Sequence, residues 1–558
     1  MSTHGISRPP EPYNEPVKTY APGSPERAEL QARLHELEAQ ELEIPLVIGG
    51  EEVRTGETYD AVMPHRRGHV LAQVHKGTAP EVERAIGAAT DAWNDWSLTP
   101  WEERAAILLR AADLLTGPWR ATLNAATMLG QSKTAHQAEI DAACELADFW
   151  RFNVRYMTRI YEEQPVSSPG VWNRIEYRPL EGFVFAVTPF NFTAIGGNLP
   201  TSAALMGNTV LWKPASTASY SAWFLMQLLQ EAGLPPGVIN LVYGDGAAVG
   251  EPALASVDLA GIHFTGSTAV FNSMWKTVGD NVGSYRNYPR IVGETGGKDF
   301  IVAHSSADVD SLATAIVRGS FEYQGQKCSA SSRVFAPSNL WPELRKRLAE
   351  QIAELPMGDV ADFSNFMGAV IDGKSFETQR AAIEEAKEAN GDTRILVGGD
   401  VDDHDGWFVR PTVIETGDPE FRTMKEELFG PVVTAFVYAP DRYEETLDLI
   451  DRGAPYGLTG AVFARDRSAV ERAGERLRYA AGNFYVNDKP TGAVVGQQPF
   501  GGGRASGTND KAGSMWNLIR WVSPRTIKEQ FVAPTDYRYP FMEPEQAAEK
   551  AAATTESG

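Results

Sequence analysis

The sequence is poor in cysteine, has fewer basic than acidic residues, and contains no long apolar run. Its two cysteines, Cys144 and Cys328, lie far apart and form no CxxC pair, which argues against a disulfide framework or a zinc cluster. The 51 Lys and Arg against 73 Asp and Glu give a formal charge of −22. This charge argues against binding to nucleic acid or anionic membranes, because their phosphates require a basic protein face. No metal site is predicted.

Two further absences bear on where the protein works. The longest apolar runs have the length of a strand, well short of the roughly 18 residues that suggest a membrane span. The first residues do not show the basic segment followed by an apolar one that marks a secretory signal. We therefore expect a soluble protein located in the cytoplasm, without a membrane span.

The first part of the chain divides into an arm and a set of helices. Five prolines among polar residues before position 24 indicate an arm without a core of its own. Residues 24–26, Ser-Pro-Glu, supply an N-cap, an N1 proline and a first-turn acid for a helix with leucines at 30, 34 and 37. The pattern also predicts a strand pair over residues 44–54 and helices from 80 to 161.

After residue 178, short apolar runs alternate with helical stretches, which is typical of βαβ units on a parallel sheet. The chain is therefore predicted to be an α/β protein with two such domains. The predicted strands of the first domain are 183–187, 209–212, 238–242 and 261–264, and those of the second are 300–303, 432–437, 461–464 and 484–486. Residues 172–177 and 519–531 are predicted as strands outside both sets.

Cys328 lies in residues 321–332, a stretch of small, polar and flexible residues. A thiol reacts as the thiolate, and its usual pKa of about 8.5 falls when a cation or backbone N–H groups lie close. Lys327, the preceding residue, is the candidate cation. The alternative is a packing role, since free cysteine is among the most buried residue types.

Two glycine turns follow neighbouring predicted strands. Gly244, Gly246 and Gly250 resemble a dinucleotide fingerprint with one residue too many before the third glycine, although ordinary helix packing explains the same pattern. Gly266 and Ser267 precede a predicted helix whose free N–H groups would attract an anion. Two such turns on neighbouring strands are better evidence for a nucleotide site than either turn by itself.

Three polar side chains also follow predicted strands. Lys213 and Asn191 lie at the carboxyl ends of strands, where open α/β sheets bind ligands. The Asn191 amide could donate to a developing oxyanion. Glu294 could act as a general base if burial raises its pKa. The alternatives are a solvated lysine, an Asx turn and a surface carboxylate.

The order of these elements resembles the aldehyde dehydrogenase superfamily over about residues 44–531. The sequence contains Asn191, Lys213, Gly266, Glu294 and Cys328, followed by Glu427-Leu-Phe429-Gly-Pro431 and Pro499-Phe-Gly-Gly502. Residues 188–198 and 491–510 look like the branch of Δ1-pyrroline-5-carboxylate dehydrogenases. That branch oxidises L-glutamate 5-semialdehyde to L-glutamate in proline catabolism.

The resemblance implies catalytic roles for three residues and NAD as the cofactor. The Cys328 thiolate would attack the aldehyde, Asn191 would hold the oxyanion, and Glu294 would activate the water that hydrolyses a thioester. The residues that match cofactor-binding positions are Lys213, Ser216, Gly246, Gly266, Ser267, Glu427 and Phe429. Ser216 replaces a glutamate common in NAD-specific relatives, so NADP is possible but less favoured.

The resemblance also implies a pocket for an amino acid semialdehyde. The matching residues are Glu145, Phe192, Lys327, Ser329, Gly492, Ala493 and Phe500. Ser329 and the two residues at 492 and 493 would receive the α-carboxylate, Lys327 suits an anionic substrate, and the two phenylalanines would form aromatic walls. Glu145 matches an acid near the amino group, with a solvated helix carboxylate as the alternative.

The fold implied is that of the aldehyde dehydrogenases, with a Rossmann-type NAD-binding domain, an α/β catalytic domain and a small β oligomerisation element. The boundaries are 1–43 for the arm and first helix, 44–150 and 178–292 with a return near 504–514 for the NAD-binding domain, 293–503 for the catalytic domain, 151–177 and 515–544 for oligomerisation, and 545–558 for a disordered tail. The partners implied are the small-molecule substrate, further copies in a homodimer or higher homo-oligomer, and a separate proline dehydrogenase.

Two other hypotheses stay open. The same chemistry could act on another acidic semialdehyde, such as succinate semialdehyde, or the chain could be an inactive homologue with a structural or binding role. The presence of Cys328, Asn191 and Glu294 together argues against the second, because a scaffold has no physical need for all three. The sequence therefore predicts an NAD-dependent oxidoreductase acting on L-glutamate 5-semialdehyde.

Overall fold

The structure is a computed structural model that describes residues 5–542. The chain forms two compact units, the first made of the residues up to Ile160 together with Pro179–Val522, and the second of Tyr161–Arg178 and the residues from Ser523 onward. Among the described residues, no helix is both long and apolar enough to cross a membrane. The tail predicted to be disordered, 545–558, lies outside the described residues.

Helices are distributed along both halves of the chain. They are α1 (Pro25–Glu38), α2 (Ala79–Trp96), α3 (Trp101–Thr116), α4 (Arg120–Gln131), α5 (Ala135–Ala138), α6 (Leu146–Glu162), α7 (Thr193–Leu205), α8 (Ser219–Glu231), α9 (Gly246–Ala255), α10 (Thr268–Asp280), α11 (Val309–Phe321), α12 (Trp341–Ala353), α13 (Gly373–Glu388), α14 (Arg422–Lys425), α15 (Tyr443–Arg452), α16 (Arg467–Arg476) and α17 (Met515–Leu518). A π-helical segment, Glu139–Glu145, joins α5 to α6.

The strands belong to two large sheets and several small ones. They are β1 (Leu42–Ile44), β2 (Leu46–Ile48), β3 (Glu51–Val53), β4 (Thr58–Met63), β5 (Arg66–His75), β6 (Val171–Pro179), β7 (Phe183–Thr188), β8 (Thr209–Pro214), β9 (Ile239–Leu241), β10 (Leu259–Thr265), β11 (Arg290–Glu294), β12 (Asp299–Ala303), β13 (Ser331–Pro337), β14 (Arg394–Val397), β15 (Val401–Asp402), β16 (Phe408–Val409), β17 (Thr412–Thr416), β18 (Val432–Tyr438), β19 (Tyr456–Gly457), β20 (Thr459–Phe463), β21 (Asn483–Val486), β22 (Gly503–Arg504) and β23 (Val522–Gln530).

The first large sheet has the order β11-β10-β7-β8-β9-β2-β3 within the described part of the chain. The strands from β11 to β9 are parallel, and the β2–β3 hairpin adds antiparallel pairing at one edge. Strands β7, β8 and β10 are buried almost throughout, as a sheet covered on both faces requires. The first set of predicted strands is confirmed, and their carboxyl ends meet at one edge.

The second large sheet has the order β14-β17-β18-β13-β12-β20-β21 in the described residues. Its pairs are parallel except for β14 with β17. Buried side chains of α11 and α12, among them Leu312, Ile316 and Leu344, pack on one face, and Leu447 and Ile450 of α15 lie in the cluster on the other. The prediction of an α/β fold is confirmed, whereas the β1-β5-β4 sheet was not predicted.

The second unit contains a two-stranded ribbon in which β6 pairs with β23. Ion pairs join Arg174 to Glu529 at 2.7 Å and Arg525 to Glu176 at 2.5 Å. The sequence predicted a strand over 519–531, but residues Ile519–Trp521 form a turn of 3-10 helix and the strand begins at Val522.

The N-terminal arm and first helix are both ordered on the first unit. The prediction for α1 is confirmed, because the Ser24 side chain accepts from the Arg27 N–H and the three leucines are buried. The arm makes more contact than its composition suggested. Tyr20 is buried, and Glu15 forms ion pairs with Arg120 at 2.6 Å and Arg151 at 2.8 Å. Polar contacts, rather than an apolar core of its own, fix the arm in place.

Candidate active site

The loop that carries Cys328 has an unusual backbone. Residues 323–325 are left-handed in succession, with φ of 51°, 55° and 66°, and a non-glycine residue in this region costs roughly 1–2 kcal/mol. Side-chain hydrogen bonds hold the turn: Gln324 Nε2 donates to the carbonyl oxygens of Ser132 at 3.0 Å and Ala369 at 2.7 Å. The strained turn places Cys328 between α11 and β13.

Cys328 and Glu294 meet at the centre of the site. The Cys328 Sγ atom donates to Glu294 Oε1 at 3.1 Å, and Glu294 is the last residue of β11. Burial raises the pKa of Glu294 to about 7. Burial, and then the Glu294 carboxylate, raise the pKa of Cys328 well above its usual value. The pair therefore rests as a thiol beside a base that titrates near neutrality.

Lys327, the candidate cation next to Cys328, pairs with a carboxylate. Its ammonium group is buried and pairs with Glu322 at 3.1 Å. The pKa of Cys328 is raised rather than lowered, because burial and a nearby carboxylate outweigh any cation in the next residue. The pKa of Cys328 therefore follows burial and the Glu294 carboxylate, and Lys327 pairs with Glu322.

Asn191 holds the cysteine loop from the other side of the site. It lies between β7 and α7, is buried, and its Nδ2 donates to the carbonyl oxygen of Gln326 at 3.0 Å. Asn191 and Cys328 line the same cavity. An amide donor and a thiol therefore line the same cavity.

That cavity has a volume of about 760 Å³ and lies at the carboxyl ends of the first sheet. The predicted site residues in its wall are Asn191, Lys213, Gly246, Gly266, Ser267, Cys328, Glu427 and Phe429. Helix α9 begins at Gly246 and α10 at Thr268, so residues in the first turns of two helices line the cavity. Such turns attract phosphate oxygens.

Lys213 and Glu427 give the cavity two chargeable groups. The Lys213 ammonium contacts the Pro214 carbonyl at 3.4 Å, and burial lowers its pKa. Glu427 accepts from the Gly297 N–H at 2.8 Å, and burial raises its pKa to about 7. A β-carbon at Gly296 would lie 2.0 Å from a Glu427 oxygen, which explains a glycine at that position. A donor and an acceptor are thus available for the hydroxyl groups of a sugar.

Phe429 lines this cavity, and Ser216 adjoins a residue that does. Phe429 has φ of 56°, and its ring packs edge-on against Phe190 with centroids 5.7 Å apart. Ser216 begins a turn of 3-10 helix, directly after Ala215, which lines the cavity. Its carbonyl oxygen accepts from the Ser219 hydroxyl at 2.8 Å.

A second cavity, of about 50 Å³, brings together Glu145, Glu294 and Phe500. Glu145 is the last residue of the π-helical segment. Burial, followed by repulsion from Asp141, raises its pKa well above the usual value. Glu145, which the sequence predicts to lie near a substrate amino group, thus lines the same small cavity as Glu294.

The remaining predicted substrate residues lie around the cysteine loop. The Phe192 ring receives the Lys133 ammonium at 4.2 Å from its centroid. Ser329 is buried, and its carbonyl accepts from the Thr459 hydroxyl at 3.3 Å. Gly492 has φ of 85° and precedes Ala493, which is partly exposed. Ser329 follows Cys328 directly, and Gly492 and Ala493 precede Phe500 by a few residues, whereas Phe192 directly precedes α7.

A buried ion pair that sequence reasoning missed supports this region. Lys133 Nζ contacts Asp141 Oδ2 at 2.6 Å and lies 4.5 Å from the centroid of the Tyr323 ring. Asp141 also accepts from the N–H groups of Thr193 at 3.0 Å and Ala194 at 2.8 Å, at the start of α7. The pair links the left-handed turn to α7. Lys133 lies between α4 and α5, and Asp141 lies in the π-helical segment; neither position carries a local signal of a site.

A family model described as the Aldehyde dehydrogenase family matches residues 52–527. The chain belongs to the aldehyde dehydrogenase family. "Delta-1-pyrroline-5-carboxylate dehydrogenase, mitochondrial" from Dictyostelium discoideum is 50% identical over 545 residues, 97% of this chain and 98% of that protein. The human protein of the same name is 49% identical over 531 residues, 95% of this chain and 94% of that protein.

A solved structure is also similar to this aldehyde dehydrogenase. The Delta-pyrroline-5-carboxylate dehydrogenase from Mycobacterium tuberculosis bound with NAD gives a TM-score of 0.94 at 57% identity, and the match covers 97% of this chain and 100% of that one. The resemblance drawn from the sequence and the aldehyde dehydrogenase fold are both confirmed. The predicted cytoplasmic location is wrong, because the relatives from D. discoideum, cow and human are named as mitochondrial proteins.

We expect Glu294→Gln to make Cys328 more reactive toward iodoacetamide. The Glu294 carboxylate adds to the effect of burial in raising the pKa of the thiol. Removing the negative charge therefore lowers that pKa and increases the thiolate fraction at neutral pH. Alkylation of Cys328, followed by peptide mass spectrometry, should accelerate severalfold. Cys144, whose pKa is raised by burial and then by Glu139, is the internal control, and an unchanged rate at Cys328 contradicts the assigned coupling.

Proposed function

We propose that the chain oxidises L-glutamate 5-semialdehyde, the open form of 1-pyrroline-5-carboxylate, to L-glutamate with NAD⁺, as a step of proline catabolism. The observation that carries the proposal is the 3.1 Å contact between the Cys328 thiol and Glu294, beside a cavity that Asn191 also lines. A nucleophile, a base and an amide donor are the groups that aldehyde oxidation through a thioester requires. The names of the D. discoideum, human and M. tuberculosis relatives support this choice of substrate.

In the first step, the Cys328 sulfur bonds to the aldehyde carbon. The thiol proton passes to Glu294 Oε1, its hydrogen-bond partner at 3.1 Å, and the carbonyl oxygen becomes the oxyanion of a thiohemiacetal. Asn191 Nδ2, which donates to the Gln326 carbonyl in this structure, is the donor proposed to move onto that oxyanion. A donor of this kind contributes about 10²–10³ in rate.

The second step removes the aldehyde hydrogen and then the acyl group. NAD⁺, when bound, supplies the acceptor for that hydrogen with its electron pair, and a thioester remains on Cys328. Glu294 releases the thiol proton to solvent, which a pKa of about 7 permits. It then takes a proton from water, whose oxygen attacks the thioester carbon. The carbon–sulfur bond breaks, the sulfur recovers a proton, and L-glutamate leaves.

Residues around the large cavity are proposed to hold NAD⁺. They are Lys213, Ser216, Gly246, Gly266, Ser267, Glu427 and Phe429. Lys213 as donor and Glu427 as acceptor suit the two ribose groups, and the first turns of α9 and α10 suit the pyrophosphate. The cavity volume of about 760 Å³ is within the range of small-molecule and cofactor sites.

A second group of residues is proposed to bind the semialdehyde. They are Glu145, Phe192, Lys327, Ser329, Gly492, Ala493 and Phe500. A substrate ammonium group beside Glu145 would offset the burial that raises the pKa of this carboxyl and favour its charged form. Lys327 remains a cation for the substrate carboxylate, although Glu322 already pairs with it. With Ala493 lacking a hydroxyl, the carboxylate would depend on backbone N–H groups and Ser329.

We expect the purified protein to form NADH from L-glutamate 5-semialdehyde with a higher kcat/KM than from succinate semialdehyde. Cys328→Ala should fall below about one thousandth of the unaltered rate, since it removes the nucleophile. Cys144→Ala is the matched control and should keep turnover. A preference for succinate semialdehyde would contradict the substrate assignment, and turnover by Cys328→Ala would contradict the mechanism.

The same assay tests the choice of cofactor, because Ser216 replaces a glutamate common in NAD-specific relatives. Equal kcat/KM with NAD⁺ and NADP⁺ would contradict the preference for NAD⁺.

The domain roles follow from the same proposal. Residues 44–150 and 178–292 with 504–514 would bind NAD⁺, and 293–503 would supply the catalytic residues. The oligomerisation element is proposed at 151–177 and 515–544. Its support is the β6–β23 ribbon, because two strands are marginally stable by themselves and leave edges that can pair. Val532 is 81% exposed at its end.

We expect light scattering to give a mass of at least twice the 60.9 kDa of one chain. Val532→Asp should shift the distribution toward the monomer, because it places a charge on an apolar surface that a second copy would cover. Leu98→Asp is the matched control, since Leu98 is 83% exposed and lies between α2 and α3. A monomer in the unaltered protein, or the same mass distribution in both variants, contradicts this assignment.

A further inference from the structure

The N-terminal arm touches two parts of the proposed substrate site through one side chain. Asn14 Nδ2 donates to Asp148 Oδ2 and to the Val495 carbonyl, each at 2.8 Å. Asn14 Oδ1 accepts from Gln497 Nε2 at 2.9 Å. Asp148 is in the first turn of α6, three residues after Glu145, and Val495 is two residues after Ala493. One carboxamide therefore joins the helix of Glu145 to the loop proposed for the substrate carboxylate.

The following residues of the arm contact the first residue of the π-helical segment Glu139–Glu145. Glu139, the first residue of the π-helical segment, is fully buried. It accepts from the Lys18 N–H at 2.8 Å and the Tyr20 hydroxyl at 2.7 Å, and it pairs with Arg120. Arg120 in turn pairs with Glu15 at 2.6 Å. Residues 14–20, called the clamp segment below, thus reach Glu139 directly and through Arg120.

The clamp segment has contacts at both ends of the π-helical segment that carries Glu145. The π-helical segment Glu139–Glu145 has clamp contacts at its first residue and, through Asp148, just beyond its last. The Glu15 N–H adds a hydrogen bond to Asp148 at 2.7 Å. A π-helical turn is a rare conformation, so its geometry depends on contacts from outside the helix. The direction of Glu145 is therefore tied to the clamp segment.

Apolar packing does not explain these contacts. Val17 is 48% exposed and Tyr13, just before the clamp segment, is 58% exposed. Apart from the Tyr20 ring, which packs edge-on against Phe363, the buried groups are carboxylates and guanidinium groups with several partners each. Such networks fix geometry more than they add stability, because each charge must be taken from water.

We propose that the clamp segment is a positioning element that holds Glu145 toward the substrate's amino group and so sets the preference for an amino acid semialdehyde. This inference rests on the proposed function and on the role of Glu145 within it. The clamp segment touches neither the reacting atoms nor the cofactor cavity, so its effect should fall on recognition of the amine and not on the chemical step.

The test compares two aldehydes of equal chain length, L-glutamate 5-semialdehyde and 5-oxopentanoate, which lacks the amino group. In Asn14→Ala, the KM for the amino substrate should rise about tenfold, in line with the loss of charge-assisted hydrogen bonds. The kcat, the KM for NAD⁺ and the kcat/KM for 5-oxopentanoate should stay close to those of the unaltered protein. Glu11→Ala is the matched control, because Glu11 is exposed and its carboxylate lies 3.5 Å from Arg155.

Thermal unfolding of each variant separates positioning from loss of structure. If Asn14→Ala does not fold, Asn14→Ser, which cannot reach both partners, takes its place with the same expectation. Equal losses on both aldehydes, or an unchanged ratio between them, would overturn the inference while the proposed function stands. No turnover of the amino substrate by the unaltered protein would overturn the proposed function and this inference with it.

Discussion

The contact between the Cys328 thiol and the Glu294 carboxylate is the interaction on which the rest of the site depends. It joins the end of β11 in one large sheet to the loop before β13 in the other, at 3.1 Å. Burial raises the pKa of both groups, because a charge loses hydration there. The resting pair therefore shares one proton between two groups that can each give or take it. A site of this kind needs little else for acyl chemistry than an oxyanion donor and an electron acceptor.

Keeping the pair in contact requires a strained loop with anchors on several sides. Tyr323 and Gln324 are left-handed non-glycine residues, and this backbone costs free energy that local propensity does not return. Gln324 and Asn191 anchor the loop through their amides. Gln326 Oε1 adds a hydrogen bond from the Ile371 N–H at 2.8 Å. The residues that bond to the loop lie at Ser132, Asn191 and 369–371, remote from it in sequence, so the loop keeps its shape only in the complete fold.

The sequence predicted what local rules determine. The buried strands were found from their apolar runs, and Lys213 and Glu294 from their places at strand ends, because parallel strands bring their carboxyl ends to one edge. The pKa of Cys328 was not predictable, since burial and a carboxylate 34 positions away control it. Residues remote in sequence also determine three other features, which are the partner of Lys327, the Lys133 pair and the contacts of the arm. The roles assigned to individual residues remain predictions.

The most direct test of this account is to trap the acyl group. Glu294→Gln would be mixed with L-glutamate 5-semialdehyde and NAD⁺, and its intact mass and NADH formation would be recorded together. The account predicts a burst of about one NADH per chain, as acyl-enzyme accumulation gives, because the Cys328 thiol, whose pKa this substitution lowers, can lose its proton to water. A glutamyl group should then stay on Cys328, since no base remains to activate the hydrolytic water. Steady turnover without an adduct would contradict the role of Glu294. An adduct on another residue would contradict the role of Cys328.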